Sequence, residues 1–277
     1  RARVVWPLRV ALVSRVRLNP YVRLLGEGLA QAAGDGIRVS WSGTWSLPWL
    51  LRQRGRVDLL HLHWLELFYT YPSAAQSLRR WTSSLAALLA CRRLGVRLVA
   101  TVHNVSGHEG RWPRLDAWTQ GLLYRLADGL HVHDATVLPE IVRRGADPQR
   151  VAVIPHGSYV GAYPDGCSRS EARRQLGLGA DDWVCLSLGI IRPYKGLEDL
   201  LSAFRALDIP EARLLVAGQS QAEAYTAQLA NLAQGDPRVY FRPGYVPDEQ
   251  LQVYFRAADV AVLPYRWATT SGAAYLA

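Results

Sequence analysis

One lysine, seven histidines and a glycine-flanked turn carry most of the chemistry this sequence can do. The lysine is Lys195, in Gly189-Ile190-Ile191-Arg192-Pro193-Tyr194-Lys195-Gly196, between a strand-like and a helix-like segment. Glycines at both ends let a ligand come close to the backbone. The start of the following helix offers N–H groups and a positive dipole end. Arg192 and Lys195 add the charge a diphosphate needs. Every other basic position in the chain is arginine, so a lysine kept here points to a compact point charge. The spacing is not that of a Walker A loop, which needs GxxxxGK[ST]. The plain alternative is a strand-to-helix turn with solvated charges.

The histidines differ in promise. His103 ends a strand beside Asn104, where open α/β sheets place ligands. His108 and Glu109 follow in Ser106-Gly107-His108-Glu109-Gly110; a carboxylate beside an imidazole suits a general base, with an exposed loop as the alternative. His61 and His63 alternate along a strand and share one face. That spacing suits a metal, yet no third ligand is evident and none is expected. His63, nearer the strand end, is the better site candidate. His131 and His133 repeat the alternation and read mainly as structural. His156-Gly157 lies at a domain junction and could touch a ligand or serve the hinge. Asn19, after the first strand, either contacts a ligand or caps the next helix.

Alternating elements must position these residues. The pattern predicts strands over 8–13, 37–41, 59–63, 96–102, 129–133 and 151–154, with helices over 22–33, 78–94, 112–127 and 139–145. Residues 158–170 are rich in turn formers and read as a linker. The pattern then restarts. A helix over 171–176 is expected behind a Ser170 cap. Strands over 183–188, 213–217, 239–241 and 260–264 alternate with helices over 197–207, 222–233 and 248–258, the last with an Asp248 cap. This is an α/β chain with two doubly wound, Rossmann-like domains, expected over 1–165 and 166–277.

Composition bounds the class. The 277 residues are 49% hydrophobic and 20% charged, ordinary for a globular chain. No apolar run approaches the roughly 20 residues of a membrane span, and no signal peptide is expected. Three scattered cysteines, Cys91, Cys167 and Cys185, give no disulfide framework, which makes a cytoplasmic setting the default. The sequence contains no methionine, and it stops at Ala277 within an apolar, helix-like stretch, so a further C-terminal portion is expected. Residues 1–165 hold 21 Arg against 11 Asp and Glu, a balance of +10; the remainder balances at −1. A basic first half invites an anionic partner, and an anionic membrane surface is one expectation. Trp41, Trp45 and Trp49, with Leu47, Leu50, Leu51, Arg52, Arg54 and Arg56, suit peripheral docking at the inner membrane face. A packed helix and turn is the plainer alternative. No nucleic-acid recognition motif is present, and nucleic acid is not an expected partner.

The second half carries a resemblance. The Lys-Gly turn, Leu215-Val216-Ala217-Gly218, Gly244-Tyr245-Val246-Pro247 and Ala257-Ala258-Asp259-Val260-Ala261-Val262-Leu263-Pro264 come in an order that resembles a GT-B fold glycosyltransferase. Residues 1–165 resemble it more loosely, through His61-Leu62-His63-Trp64, Thr101-Val102-His103-Asn104 and Val153-Ile154-Pro155-His156-Gly157. Arg192-Pro193-Tyr194-Lys195-Gly196 and Thr269-Thr270-Ser271-Gly272 resemble bacterial mannosyltransferase-like enzymes of exopolysaccharide assembly. The resemblance implies a nucleotide-sugar donor on the second domain, across a cleft from a glycolipid or saccharide acceptor on the first, and no tightly bound cofactor. Lys195 would contact the donor phosphates, with Arg192 beside it; Gly189 and Gly218 would allow close approach; Tyr245 and Val246 would line the base site. Thr270, Ser271 and Gly272 would donate to the diphosphate. His103 would meet the donor sugar or reaction centre, with Asn19, His63 and Asn104 on the acceptor side. GDP-mannose is the preferred donor, UDP-glucose the next. Two departures stand out. Ile190 occupies the place where the common pattern has Arg, and the paired-glutamate motif after Leu263-Pro264 is absent, which leaves retention or inversion open. A noncatalytic nucleotide-sugar-binding module and a nucleotide-sugar epimerase are the alternatives.

Overall fold

A computed structural model describes residues 7–17, 19–104, 112–220, 222–267 and 271–277. The chain divides into two compact units, Arg1–Gly157 and Ser158–Ala277. The junction falls eight residues before the expected boundary at 165/166. Residues following the junction are fastened to the second unit: Asp165 pairs with Arg256, and the Gln252 side chain accepts from the Gly166 and Cys167 backbone N–H groups.

The first unit runs β1 (Leu8–Val13), α1 (Tyr21–Ala33), β2 (Ile37–Ser42), α2 (Leu47–Gln53), β3 (Leu59–His63), α3 (Ala74–Cys91), β4 (Arg97–Val102), α4 (Pro113–Leu126), β5 (Gly129–Val132), α5 (Leu138–Arg143) and β6 (Val151–Val153). Its sheet is parallel, in the order β2-β1-β3-β4-β5-β6. Strand order reverses between β1 and β3, the kind of switch point where such sheets bind ligands. Leu60, Leu62, Leu98, Ala100, Leu130 and Val132 project from one face into the main core, with Trp45, Leu50, Leu88 and Tyr124. Because side chains alternate along a strand, His61, His63, Thr101 and His131 belong to the other face.

The second unit runs α6 (Arg169–Leu176), β7 (Trp183–Leu188), α7 (Leu197–Arg205), β8 (Ala212–Gly218), α8 (Glu223–Ala233), β9 (Val239–Pro243), α9 (Asp248–Ala257) and β10 (Val260–Ala261). Its described sheet is parallel, in the order β10-β7-β8-β9, with the reversal at β7. Apolar strands buried on both faces suit a parallel sheet. Leu186, Leu188 and Leu215 pack with α6 and α9, while Cys185, Leu214 and Val216 pack with α7 and α8.

Several local expectations are corrected. Ser168, not Ser170, caps α6: its hydroxyl accepts from the Glu171 N–H, and the Glu171 carboxylate accepts from the Ser168 N–H. This reciprocal box outcompetes a lone cap two residues later. Ser168→Ala should lower the urea midpoint of the second unit by an amount worth about 1 kcal/mol, whereas Ser170→Ala should change it by less than about 0.5. Asp248 is the first residue of α9 rather than its cap, so it serves the helix dipole instead. The last strand pairs over two residues rather than five. The tryptophan segment presents no single apolar face: Trp45 is 1% exposed in the core and Trp49 packs against it, while Trp41, 57% exposed, sits in β2. The expected docking stripe is therefore split between core and surface. Among the described residues no helix is long and apolar enough to cross a membrane.

Candidate functional site

The phosphate-type half lies at the carboxyl end of the second sheet. Three adjacent strands lead into glycines with left-handed backbone: Gly189 (φ +138°), Gly218 (φ +141°) and Gly244 (φ +156°). Backbone bonds weld them into one ledge, from the Gly189 N–H to the Ala217 carbonyl (3.0 Å) and from the Gly244 N–H to the Gly218 carbonyl (2.9 Å). A Cβ on Gly218 would lie 1.9 Å from the Gly189 carbonyl oxygen. Its smallness thus serves the neighbouring strand end, where the sequence had assigned it to an approaching nucleotide.

Lys195 returns over this ledge. Its Nζ lies 3.1 Å from where a Gly189 Cβ would stand, and it donates to the Tyr265 hydroxyl at 2.9 Å. The Ser271 hydroxyl donates to the same phenol oxygen at 3.0 Å. Tyr265 follows β10 and Gly189 follows β7, so this triad spans the switch point. Arg192 is half-buried and opens the short turn Pro193–Lys195. The dipole end of α7 is already met by Glu198 and Asp199, and Asp199 pairs with Arg266 at 2.9 Å. Cationic character in the loop therefore rests on Lys195 and Arg192. Tyr245 is half-exposed beside the ledge, whereas Val246 packs against the α9 core cluster. Gly272 starts a short helical turn whose Ala273 reaches Gly189. Thr270 lies outside the described residues.

The first unit places six of the seven histidines together: His61, His63, His103, His131, His133 and His156, at the carboxyl ends of β3 to β6. His61 and His63 stack at 4.4 Å, and Tyr21, at the start of α1, sets its ring within 6 Å of His63, His103, His133 and His156. One backbone carbonyl orients much of this set. Ile154 O can only accept, so His131 donates to it through Nε2–H at 2.9 Å. His131 Nδ1 then accepts from the Thr101 hydroxyl (3.3 Å), and Thr101 Oγ1 accepts from His61 Nε2–H (2.8 Å). His133 also faces Ile154 O through Nδ1, at 3.4 Å. Burial disfavours the charged rings: it pulls His61 down to about 3 and His133 to about 4, and His63 and His103 well below the usual histidine range. All are neutral imidazoles at pH 7. Among the described residues no three His, Cys, Asp or Glu side chains form a metal-binding group.

His103 also borders a small pocket of ≈ 30 Å³ with Trp64, Glu66, Asn104, Gln120 and Tyr124. Burial, with Asp116 nearby, pushes the Glu66 carboxyl above its ordinary range. Asn19 accepts from the Tyr21 N–H at 2.9 Å in a turn just before α1; the cap position itself is Pro20, with no side-chain cap bond, so Asn19 is not the helix cap. His108 and Glu109 lie outside the described residues.

The sequence had singled out His63, His103 and Asn104, which the fold does bring to one strand-end region. It treated His131 and His133 as structural and overlooked Tyr21, Trp64, Glu66 and Tyr265. Glu66 carried a usable signal, as the one carboxylate just past the His-Trp end of β3. Tyr265 carried none, since its partner Lys195 is 70 residues earlier.

Comparison with known proteins agrees in both halves. Residues 27–158 match the family model described as Glycosyltransferase Family 4, and residues 168–274 match Glycosyl transferases group 1. The chain is 28% identical over 222 residues to a GDP-mannose:glycolipid 4-beta-D-mannosyltransferase of Xanthomonas campestris pv. campestris, covering 80% of this chain and 59% of that protein. It is 31% identical over 277 residues to a D-inositol 3-phosphate glycosyltransferase of Streptomyces scabiei, covering 91% of this chain and 56% of the relative. The chain thus spans less than two thirds of either relative's length. Among solved structures, the sucrose-phosphate synthase of Thermosynechococcus elongatus shares the fold, with a TM-score of 0.71 at 20% identity over 96% of this chain and 78% of that one.

Proposed function

The chain belongs to the GT-B glycosyltransferases, and from that premise we propose that it transfers a hexosyl group from a nucleoside diphosphate sugar to a saccharide or glycolipid hydroxyl. The observation that carries this reading is the Lys195 ammonium held over three glycine-terminated strand ends. In the proposed reaction the acceptor oxygen bonds to the anomeric carbon while the bond from that carbon to the diphosphate oxygen breaks. The electron pair leaves with the diphosphate. Lys195 and Arg192 neutralise the charge that develops, and Ser271, Thr270 and the Gly272 N–H donate to it. Gly189 and Gly218 shape the ledge beneath the phosphates; Tyr245, with Val246 behind it, borders the base.

On the first unit, His103 and Asn104 contact sugar hydroxyls, with Glu66 in the same pocket. Asn19 and His63 act indirectly there, through Tyr21 and His103. Glu109, with His108, takes the acceptor proton. GDP-mannose is the proposed donor and a glycolipid the proposed acceptor, in line with the printed name of the Xanthomonas relative. A glycolipid acceptor would bring the enzyme to the inner face of a membrane. Arg54, Arg56, Arg92, Arg93 and Arg97, at the amino ends of the neighbouring strands β3 and β4, are the proposed contact with its anionic surface.

Calorimetric titration of the full-length protein with GDP, UDP, GDP-mannose and UDP-glucose tests the donor half. One nucleotide series should bind preferentially, and Lys195→Ala should weaken it about 100-fold, which is about 2.7 kcal/mol. Equal affinity in the variant would remove Lys195 from the site. Binding by none of the four ligands would remove the transferase reading itself.

A further inference from the structure

The contact between His63 and His103 bears on how the second imidazole can act. His63 is fully buried, and its Nδ1 lies 3.1 Å from His103 Nε2. Between two neutral imidazoles one nitrogen donates and the other accepts. His63 Nε2 is buried with no hydrogen-bond partner. If its proton sat there, a buried N–H would be stranded, which folded proteins avoid more strictly than a bare lone pair. The proton therefore belongs on Nδ1. His63 donates, His103 accepts through Nε2, and the His103 proton resides on Nδ1.

The surroundings fix this pair in place. Trp64 lies flat on His103, with ring centroids 3.7 Å apart and planes within 7°. Among the described residues Trp64 is the one non-glycine residue with positive φ (+49°). A bulky residue is rarely held in that conformation unless packing demands it; here the demand is the stack on His103. From behind, His61 stacks on His63 and is itself held through Thr101 and His131 to the Ile154 carbonyl. Tyr21 closes the side.

We propose that His63 is a positioning residue that locks His103 as the neutral Nδ1–H tautomer. His103, accepting from His63 on Nε2 and protonated on Nδ1, is then not the base that removes the acceptor proton. This deepens the proposed function and rests on it for the identity of the ligand, but the tautomer is a property of the protein alone.

Long-range ring spectra of protein labelled with ¹⁵N-histidine test it, with the His103 signal assigned by its loss in His103→Gln. The expected result is a protonated Nδ1 and an unprotonated Nε2 on His103 at pH 7. His63→Asn places an amide donor where Nδ1 was; it should keep that tautomer and most of the transfer rate. His63→Asp places an acceptor there instead; His103 Nε2 should become protonated, and sugar transfer from the preferred nucleotide should fall about 10- to 100-fold, the range seen when the group orienting a metal-bound imidazole is lost. Nucleotide binding on the second unit should stay within about twofold. An Nε2–H signal on His103 in the unaltered protein overturns the proposal, and so does an unprotonated Nε2 in His63→Asp. If His63→Asp fails to fold, the unaltered protein and His63→Asn still decide the tautomer. If no nucleotide binds, the transferase reading falls while the ring spectra stand.

Discussion

Lowering the pH from 6.5 to 4.5 should strip the first unit of roughly 4 kcal/mol of stability, with little effect on the second unit. The reason lies in where the histidines are: all seven precede Ser158, and five are buried against one another. In the unfolded chain each imidazole takes up a proton near pH 6.5. In the folded unit burial holds His133 near 4 and His61 near 3, so neither does. Over this window the unfolded state binds more protons than the folded state, and stability falls as pH falls. The loss begins below about 6.5 and levels off only once the folded rings titrate, near 4 and then 3. Each such group costs about 1.4 kcal/mol per pH unit, and two of them approach the whole stability of a small domain. Eight of the ten tryptophans lie before residue 120, so tryptophan emission reports mainly on the first unit. Urea titrations followed by that emission should show a much lower midpoint at pH 5 than at pH 7. Equal midpoints would mean that water or local opening relieves the rings, and that the packed column is not maintained in solution.

Gly218→Ala should cost the second unit about 3–5 kcal/mol, the largest effect of any single methyl addition in the described sheet ends. Two penalties coincide there. The backbone sits at φ +141°, which L side chains rarely adopt, and the added carbon would meet the Gly189 carbonyl oxygen at 1.9 Å. That atom is backbone, welded to β8 by hydrogen bonds, and cannot rotate away as a side chain would. Relief requires parting the ends of β7 and β8, which also displaces the Lys195 loop. Gly166→Ala provides the control, since its Cβ would meet nothing within 4 Å. Chemical denaturation of both variants should separate them clearly. A Gly218→Ala protein as stable as the Gly166→Ala protein would show that the strand ends are looser than they stand.

Much of the scaffold was readable because its signals are local. Apolar runs such as Trp183–Leu188 and Leu59–His63 end in glycine or polar residues at the expected places. Where a choice lay between near neighbours, as between Ser168 and Ser170, reciprocal bonding from Glu171 decided it, and a single cap residue could not reveal that. The site was legible in its parts and not in its assembly. His61 and His63 were placed on one face by alternation, and so were His131 and His133. That the two pairs belong to one column depends on β3, β4 and β5 lying side by side, which no local signal states. The left-handed Trp64 and the reach of Tyr265 back to Lys195 are likewise decided by packing between distant segments.

The hydroxyl of Tyr265 also bears on how this protein treats the anions around it. One of the three N–H donors of the Lys195 ammonium is engaged by an uncharged oxygen that Ser271 helps to hold. The two remaining donors are presented by a long side chain whose direction that contact has already set. A lysine without such a partner would have to give up its rotamer freedom at the moment an anion arrives. The tyrosine thus acts as a brace, which orders the cation in advance and leaves its charge available.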